Sequence, residues 1–155
     1  MTARHWQQGP VCQPGFQRHH LIPLALTRRA QFAPLFAELE NGGLRLRRFP
    51  ENGLHLPACE VAAAALGHAL HRGPHPAYTD VVAARLDAIR SSTIIARPSD
   101  RWAAVDRIRT LQSALRRALT DRHGHHLWLN RRDPMRLFAD RAYLDTAIDA
   151  LFGDG

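Results

Sequence analysis

Ten histidines in 155 residues are the feature of this sequence that points to chemistry. They are His5, His19, His20, His55, His68, His71, His75, His123, His125 and His126. Histidine is the commonest metal ligand and the usual acid–base residue near neutral pH, so a clustered set could hold an ion and move a proton. The chain carries 21 basic and 14 acidic residues, for a net charge of +7, and contains no lysine. Because arginine is a permanently charged donor suited to phosphate, this composition indicates a polyanionic partner.

Three short segments contain the histidines that could act together. Residues 18–23 (RHHLIP) predict a strand that Pro23 helps to end, and residues 51–57 (ENGLHLP) predict a turn and a second strand. Residues 71–78 (HRGPHPAY) lead into a helix. These elements would form a ββα finger that gathers ligands from its first strand and from the start of its helix. Adjacent strand residues point to opposite faces, so His19 and His20 would have different tasks.

The third segment offers two candidate ligands of unequal strength. His71 and His75 are four residues apart, the spacing that places two ligands on one face of a helix. Gly73 and Pro74 lie between them, however, and make a regular helix through this stretch improbable. His75 is therefore the stronger candidate of the two.

The three segments in this order resemble the AHH-type nucleases of the HNH/endonuclease VII superfamily, the His-Me finger endonucleases. The matching residues are the pair His19-His20 followed by Leu21-Ile22-Pro23, the motif Asn52-Gly53-x-x-Leu56-Pro57, and the motif His71-x-Gly73-x-His75-Pro76-x-Tyr78. The resemblance covers roughly residues 15–90. Arg18 stands where the family name places alanine.

The resemblance implies a role for each of five residues. His20 would be the general base that takes a proton from the attacking water. His19 and His75, with His71 as a further candidate, would hold one divalent ion. Asn52 would belong to the catalytic set by bracing the finger or orienting the His20 ring.

The implied reaction is metal-dependent hydrolysis of phosphodiester bonds, with DNA favoured over RNA and with 5′-phosphate and 3′-hydroxyl ends as products. A divalent ion can act as a Lewis acid on the phosphate, and a neutral histidine is a suitable base for water. Imidazole ligands favour zinc, nickel or manganese over magnesium, although the sequence leaves the metal open. Arg18, Arg72 and Arg47 could neutralise flanking phosphates.

The elements around these motifs indicate an α+β fold dominated by helix: a ββα-metal core with a helical insertion, followed by C-terminal helices. Apolar spacing and breakers predict helices over 32–39, 61–70 and from Pro76, an edge strand over 44–47, a turn at 50–53 and a strand over 54–57. Ser99 is the predicted N-cap of a long helix whose apolar face includes Trp102 and Leu119. A last helix is predicted from Asp133-Pro134 to near Gly153.

We expect a single domain over residues 1–155, with the nuclease motifs in about 15–90 and a helical C-terminal part in about 99–153. Cys12 and Cys59 are too few for the disulfide framework of a small secreted domain. No apolar run reaches the length of a membrane span, and the N-terminus lacks the pattern of a signal peptide. These features predict a cytoplasmic protein or a delivered effector, with no membrane partner.

Several interpretations remain open at the level of sequence. The main alternative to an endonuclease is a non-catalytic nucleic-acid-binding module that retains the metal finger, and another is a helical adaptor. Members of the family include bacterial toxins checked by an immunity protein, but a phage or housekeeping nuclease fits the motifs equally.

The remaining histidines and arginine pairs have plainer expected roles. His55 is expected on the solvent face of its strand, and His68 in packing or at the surface. The histidines after Arg122 could form a second metal site, but a solvated loop is the simpler interpretation. Arg116-Arg117 and Arg131-Arg132 are expected to be solvated, with contact to nucleic acid as the alternative.

Overall fold

A computed structural model describes residues 15–121 and 127–134, and within them the chain folds as helix-dominated α+β, as predicted. The elements in chain order are strand β1 (Phe16–His20), a 3-10 helix (Leu26–Arg28), helices α1 (Ala33–Asn41) and α2 (Phe49–Asn52), strand β2 (Gly53–Pro57), and helices α3 (Glu60–Leu66), α4 (Pro76–Ser91) and α5 (Pro98–Thr120). The predicted helices near 32–39 and from Pro76, and the predicted strand pair, are confirmed.

Strands β1 and β2 form a two-stranded antiparallel sheet. His19 lies opposite Leu54 and His20 opposite Gly53 in the register of this sheet. Gly53 is required here because a Cβ atom at this position would overlap the ring and carbonyl oxygen of Phe49. The glycine of the Asn-Gly motif therefore lets α2 pack directly over the start of β2.

Helix α5 supplies the largest share of the apolar core among the described elements. Its inner face includes Val105, Ile108, Leu111, Leu115 and Leu119, which are all buried. These residues recur every three or four positions, so they form one stripe that packs against α1 and α4. Strand β2 packs against α2 and α3.

Two predictions between the strands are wrong. Residues 44–47 form an irregular stretch that ends in a turn rather than an edge strand, although Leu44 and Leu46 are both buried as an alternating pattern requires. The Leu46 carbonyl accepts a hydrogen bond from the Asn52 side chain at 3.1 Å, which satisfies it without a partner strand. Residues 50–53 are not a simple turn, because Phe49–Asn52 forms the short helix α2 with proline in its first turn.

The boundaries of two later helices also differ from the prediction. Helix α3 ends at Leu66 because Gly67 adopts a left-handed conformation with φ of 65°, a common helix terminator. Helix α5 begins at Pro98, and the Asp100 carboxylate accepts the Arg97 backbone N–H at 2.8 Å, so Ser99 is not its N-cap. Trp102 is 69% exposed and lies outside the apolar stripe assigned to it.

His55 and Arg116 are less exposed than their sequence context indicates. All five residues of β2 are buried, and His55 is only 6% exposed because the Phe49 ring packs against it at 4.9 Å. Arg116 is half-buried and donates a hydrogen bond to the Gly53 carbonyl at 2.9 Å. Within the described ranges, no helix is long and apolar enough to cross a bilayer.

The predictions for Cys12, the histidines at 123, 125 and 126, and the helix after Pro134 fall outside the described residues. Cys59 is an exposed free cysteine.

Candidate functional site

His19 is the centre of a pocket lined by aromatic rings. It is 1% exposed, and its ring lies 5.0 Å from that of His71, 4.9 Å from that of His75 and 5.0 Å from that of Tyr78, centroid to centroid. Neither of its ring nitrogens has a hydrogen-bond partner among the described residues. Because buried polar atoms are nearly always satisfied, these nitrogens need a ligand such as an ion or water.

An irregular segment between α3 and α4 delivers the other two histidines to this pocket. The His71 backbone N–H donates to the Pro57 carbonyl at 2.9 Å, which ties the segment to the end of β2. Gly73 then turns the chain with φ of 69°, and His75 is the N-cap of α4. The expectation that no regular helix runs from His71 to His75 is confirmed.

One nitrogen from each of His19, His71 and His75 lies within 4.8 Å of the others, so the three could hold a metal ion. His71 Nδ1 lies 3.0 Å from Gln17 Oε1; as a donor to this oxygen, it leaves Nε2 as the lone-pair atom. Metal-bound histidines typically have such an outer partner. Three imidazoles suit zinc, nickel or manganese, so the donor set fits the divalent ion predicted from sequence.

All three rings are held in the neutral form. Burial, followed by the neighbouring His75, His71 and His20, lowers the pKa of His19 to about 2. Burial and then His75 lower the pKa of His71 to about 4, and burial also lowers the pKa of His75. A metal ligand must be unprotonated, so these environments prepare the rings for an ion rather than for a proton.

His20 stands apart from this cluster. It follows His19 on β1, is half-buried, and contacts the Phe49 ring edge-on at 5.8 Å. The guanidinium of Arg18 lies over the same Phe49 ring at 4.1 Å. Burial and then Arg18 lower the pKa of His20. The ring is therefore neutral at neutral pH and able to accept a proton.

Asn52 fastens the chain that follows His20. Its Oδ1 accepts the Ile22 N–H at 2.9 Å, and its Nδ2 donates to the carbonyls of Ile22 at 2.8 Å and Leu46 at 3.1 Å. The backbone oxygen of Asn52 accepts the Leu21 N–H at 2.8 Å. Gln112 Nε2 completes the set by donating to Oδ1 at 3.0 Å. All four hydrogen-bonding positions of the amide are used within the protein, and in the described residues none of them reaches His20.

Two residues that support the site, Tyr78 and Gln112, have no role predicted from the sequence. Tyr78 donates its hydroxyl to the Leu21 carbonyl at 2.6 Å, and complete burial raises its pKa far above its usual range. It thereby joins the start of α4 to the turn after His20 while its ring covers His19. The position of Tyr78 in the third sequence motif is the feature that could have indicated this role. Gln112 lies about 60 positions from Asn52, and no motif in the sequence connects the two residues.

The predicted phosphate-binding arginines occupy different surroundings. Arg18 stacks on Phe49, Arg72 pairs with Glu60 at 3.3 Å, and Arg47 is exposed in the turn before α2. His55 and His68 do not belong to the three-histidine group found in the described part of the chain.

The fold and the site together define a helix-dominated α+β chain in which three histidines that could hold a metal ion lie beside a two-stranded antiparallel sheet. A family model described as a nuclease family of the HNH/ENDO VII superfamily with conserved AHH matches residues 1–115. The chain therefore belongs to the AHH nuclease family, and the match extends beyond the roughly 15–90 expected from the motifs. No curated protein and no solved structure matches the chain. The family describes a nuclease, and the histidine cluster supports a metal-dependent one.

Proposed function

We propose that the chain is a metal-dependent endonuclease that hydrolyses phosphodiester bonds, with DNA as the favoured substrate and 5′-phosphate and 3′-hydroxyl ends as products. The observation that carries the proposal is the buried His19 ring, whose nitrogens lack protein partners among the described residues and face two further imidazoles. Membership of a nuclease family and the net charge of +7 are consistent with a nucleic-acid substrate.

His19, His71 and His75 are the proposed ligands of one divalent ion. When bound, such an ion supplies Lewis-acid stabilisation of charge on the phosphate and on the leaving oxygen. The protein contributes three neutral rings fixed by a strand, a tethered segment and a helix start. Gln17 orients the His71 ring, and Tyr78 packs against the His19 and His75 rings.

His20 is the proposed general base. Its neutral ring accepts a proton from the attacking water at a nitrogen lone pair, a step that contributes about 10²–10⁴-fold to rate in enzymes. Its position on the strand next to His19 links the base to the ligand set through one peptide unit. Asn52 is proposed as a positioning residue, because it holds Leu21 and Ile22 directly after the base. Arg18, Arg47 and Arg72 are proposed to contact flanking phosphates.

A plasmid-nicking assay tests this proposal. Wild-type protein is treated with chelator and then resupplied with Zn²⁺, Ni²⁺, Mn²⁺ or Mg²⁺ in turn. We expect cleavage to require the ion and His20→Ala to lower the rate about 10²–10⁴-fold while retaining the metal content measured by elemental analysis. His68→Ala is the matched control, because His68 lies outside the cluster, and it should cut like wild type.

Two outcomes would contradict the proposal in different ways. Wild-type cleavage by His20→Ala would remove His20 as the base. An intact plasmid under every metal, with salt-dependent DNA binding, would instead indicate the non-catalytic binding module.

A toxin role with an immunity partner is a further part of the proposal that rests on the family resemblance. It predicts that cytoplasmic expression of wild type, but not of His20→Ala, stops bacterial growth.

A further inference from the structure

A cavity of about 580 Å³ adjoins the histidine cluster on the side of α4. One wall is the segment from Arg72 to Tyr78, which includes His75, and the other is formed by residues 128–132. Its volume is in the range of sites that bind a small molecule or one unit of a polymer. Because His75 belongs to both the cluster and the cavity, a chain lying in this cavity would extend directly from the proposed metal site.

The second wall is held in place by specific hydrogen bonds. The Leu127 N–H donates to the Ala118 carbonyl at 2.8 Å, and Asn130 Nδ2 donates to the Arg72 carbonyl at 2.6 Å. The buried Asp133 carboxylate accepts the Leu70 N–H at 2.9 Å. This segment lies beyond residues 1–115, the part of the chain that matches the family model. The family match therefore covers the first wall of the cavity but not the second.

The lining combines apolar surfaces with positive charge. Pro74, Pro76 and Trp128 contribute apolar and aromatic surface, while Arg131 and Arg132 are exposed at the edge. None of the described lining residues is acidic. Arg72 also lines the cavity, although it pairs with Glu60 at 3.3 Å. An aromatic and apolar surface beside arginines is complementary to a nucleobase joined to phosphates.

We propose that this cavity binds a single-stranded stretch of the nucleic-acid substrate, with a base against Trp128 and with phosphates at Arg131 and Arg132. The inference rests on the proposed nuclease function and adds a substrate class to it. A base presents its face to an aromatic side chain only when it is unpaired, so the cavity favours single strands over an intact duplex. The site then accepts the unpaired strand next to the bond that is cut.

Fluorescence anisotropy with a short labelled single-stranded DNA and its duplex, both with chelator present so that cleavage does not interfere, tests the inference. We expect Arg131→Gln/Arg132→Gln to raise the single-strand Kd about tenfold and to lower the salt slope by about 0.7 for each phosphate that the variant no longer neutralises. The matched control is Arg28→Gln/Arg29→Gln, which removes the same charge from an exposed pair that does not line the cavity. It should change the Kd less than about twofold.

Trp128→Leu separates stacking from charge. We expect it to weaken single-strand binding about tenfold with little effect on duplex binding, because leucine keeps apolar volume but cannot stack. Equal weakening of binding in the two arginine variants, or equal effects on single strand and duplex, would overturn the inference. If the Arg131→Gln/Arg132→Gln variant cleaves the plasmid and binds single strands with unchanged affinity, the proposed nuclease activity is retained and the proposed role of the cavity is excluded. If the variants weaken single-strand binding selectively but the wild-type protein leaves the plasmid intact, the cavity is supported as a single-strand binding site and the proposed nuclease activity is excluded.

Discussion

The two-stranded sheet has two buried polar groups beside it, His19 within β1 and Asn52 directly before β2, and they differ in how their hydrogen-bonding atoms are satisfied. Around Asn52, which is fully buried, every side-chain donor and acceptor has a partner within the protein. Around His19, which is as deeply buried, both ring nitrogens lack one among the described residues. The hydrogen-bonding atoms of Asn52 are satisfied by the protein itself, whereas those of the His19 ring require a ligand such as an ion or water.

At one two-stranded sheet, this difference distinguishes a residue that stabilises the fold from a residue that could bind a ligand. A satisfied buried network fixes the backbone, because breaking it leaves donors and acceptors without water. An unsatisfied buried ring costs stability and persists where a ligand offsets that cost. We infer that Asn52 sets the shape of the turn after His20, whereas the pocket of His19, His71 and His75 is shaped for an ion.

The largest expected effect is the loss of the Asn52 network. Asn52→Ala leaves the Ile22 N–H and the carbonyls of Ile22 and Leu46 without their partner, and we expect the free energy of unfolding to fall by about 3–5 kcal/mol. Urea denaturation measures this change. Asn41→Ala is the control, because Asn41 is exposed at the end of α1, and it should change stability by less than about 0.5 kcal/mol. Similar effects of the two substitutions would show that the network does not brace the fold.

The metal pocket should instead respond to its ligand. At a metal concentration 100 times the Kd, we expect a saturating divalent ion to raise the free energy of unfolding by about 2.7 kcal/mol over the chelated protein. His75→Ala should abolish this gain, since it removes one of three ligands. His20→Ala should keep it, because His20 lies outside the group. Denaturation with and without chelator gives both numbers, and a full gain in His75→Ala would exclude the proposed ligand set.

Local sequence patterns were sufficient for the parts of the fold that are set by neighbouring residues. The two strand segments, the proline at the start of α4 and the apolar stripe of α5 predict elements that the structure confirms. The meeting of His71 with His19 and His75 could be anticipated only through the resemblance. Spacing pairs His71 with His75 only if a regular helix runs between them. Because Gly73 and Pro74 interrupt such a helix, the spacing supported His75 alone.

The remaining features depend on contacts between distant residues, which a single sequence does not reveal. Gln112 reaches Asn52 across about 60 positions, and Asp133 reaches Leu70 across 63. The same cause explains two wrong predictions. His55 is buried because α2 folds over its strand. Residues 44–47 form no strand because the Asn52 side chain, rather than a partner strand, binds the Leu46 carbonyl.

The smallest expected effect distinguishes the two groups by pH. In the metal-free protein the pKa of His19 is lowered to about 2 and that of His71 to about 4, whereas an unfolded histidine titrates near 6.5. Below pH 6.5 the unfolded chain therefore binds protons that the folded chain does not. Stability is full above this pH and falls as the pH decreases, by at most about 1.4 kcal/mol per pH unit for each such group.

His19→Asn should make this pH dependence shallower, because it removes the group with the most strongly lowered pKa. Gln112→Ala removes a bond from the Asn52 network, which contains no titrating side chain, so it should lower stability by a similar amount at every pH. Urea denaturation between pH 7 and pH 5 in the presence of chelator compares the two variants with wild type. A pH dependence that His19→Asn leaves unchanged would mean that the His19 ring is not held neutral by burial, and the contrast between the two groups would no longer identify the pocket as a ligand site.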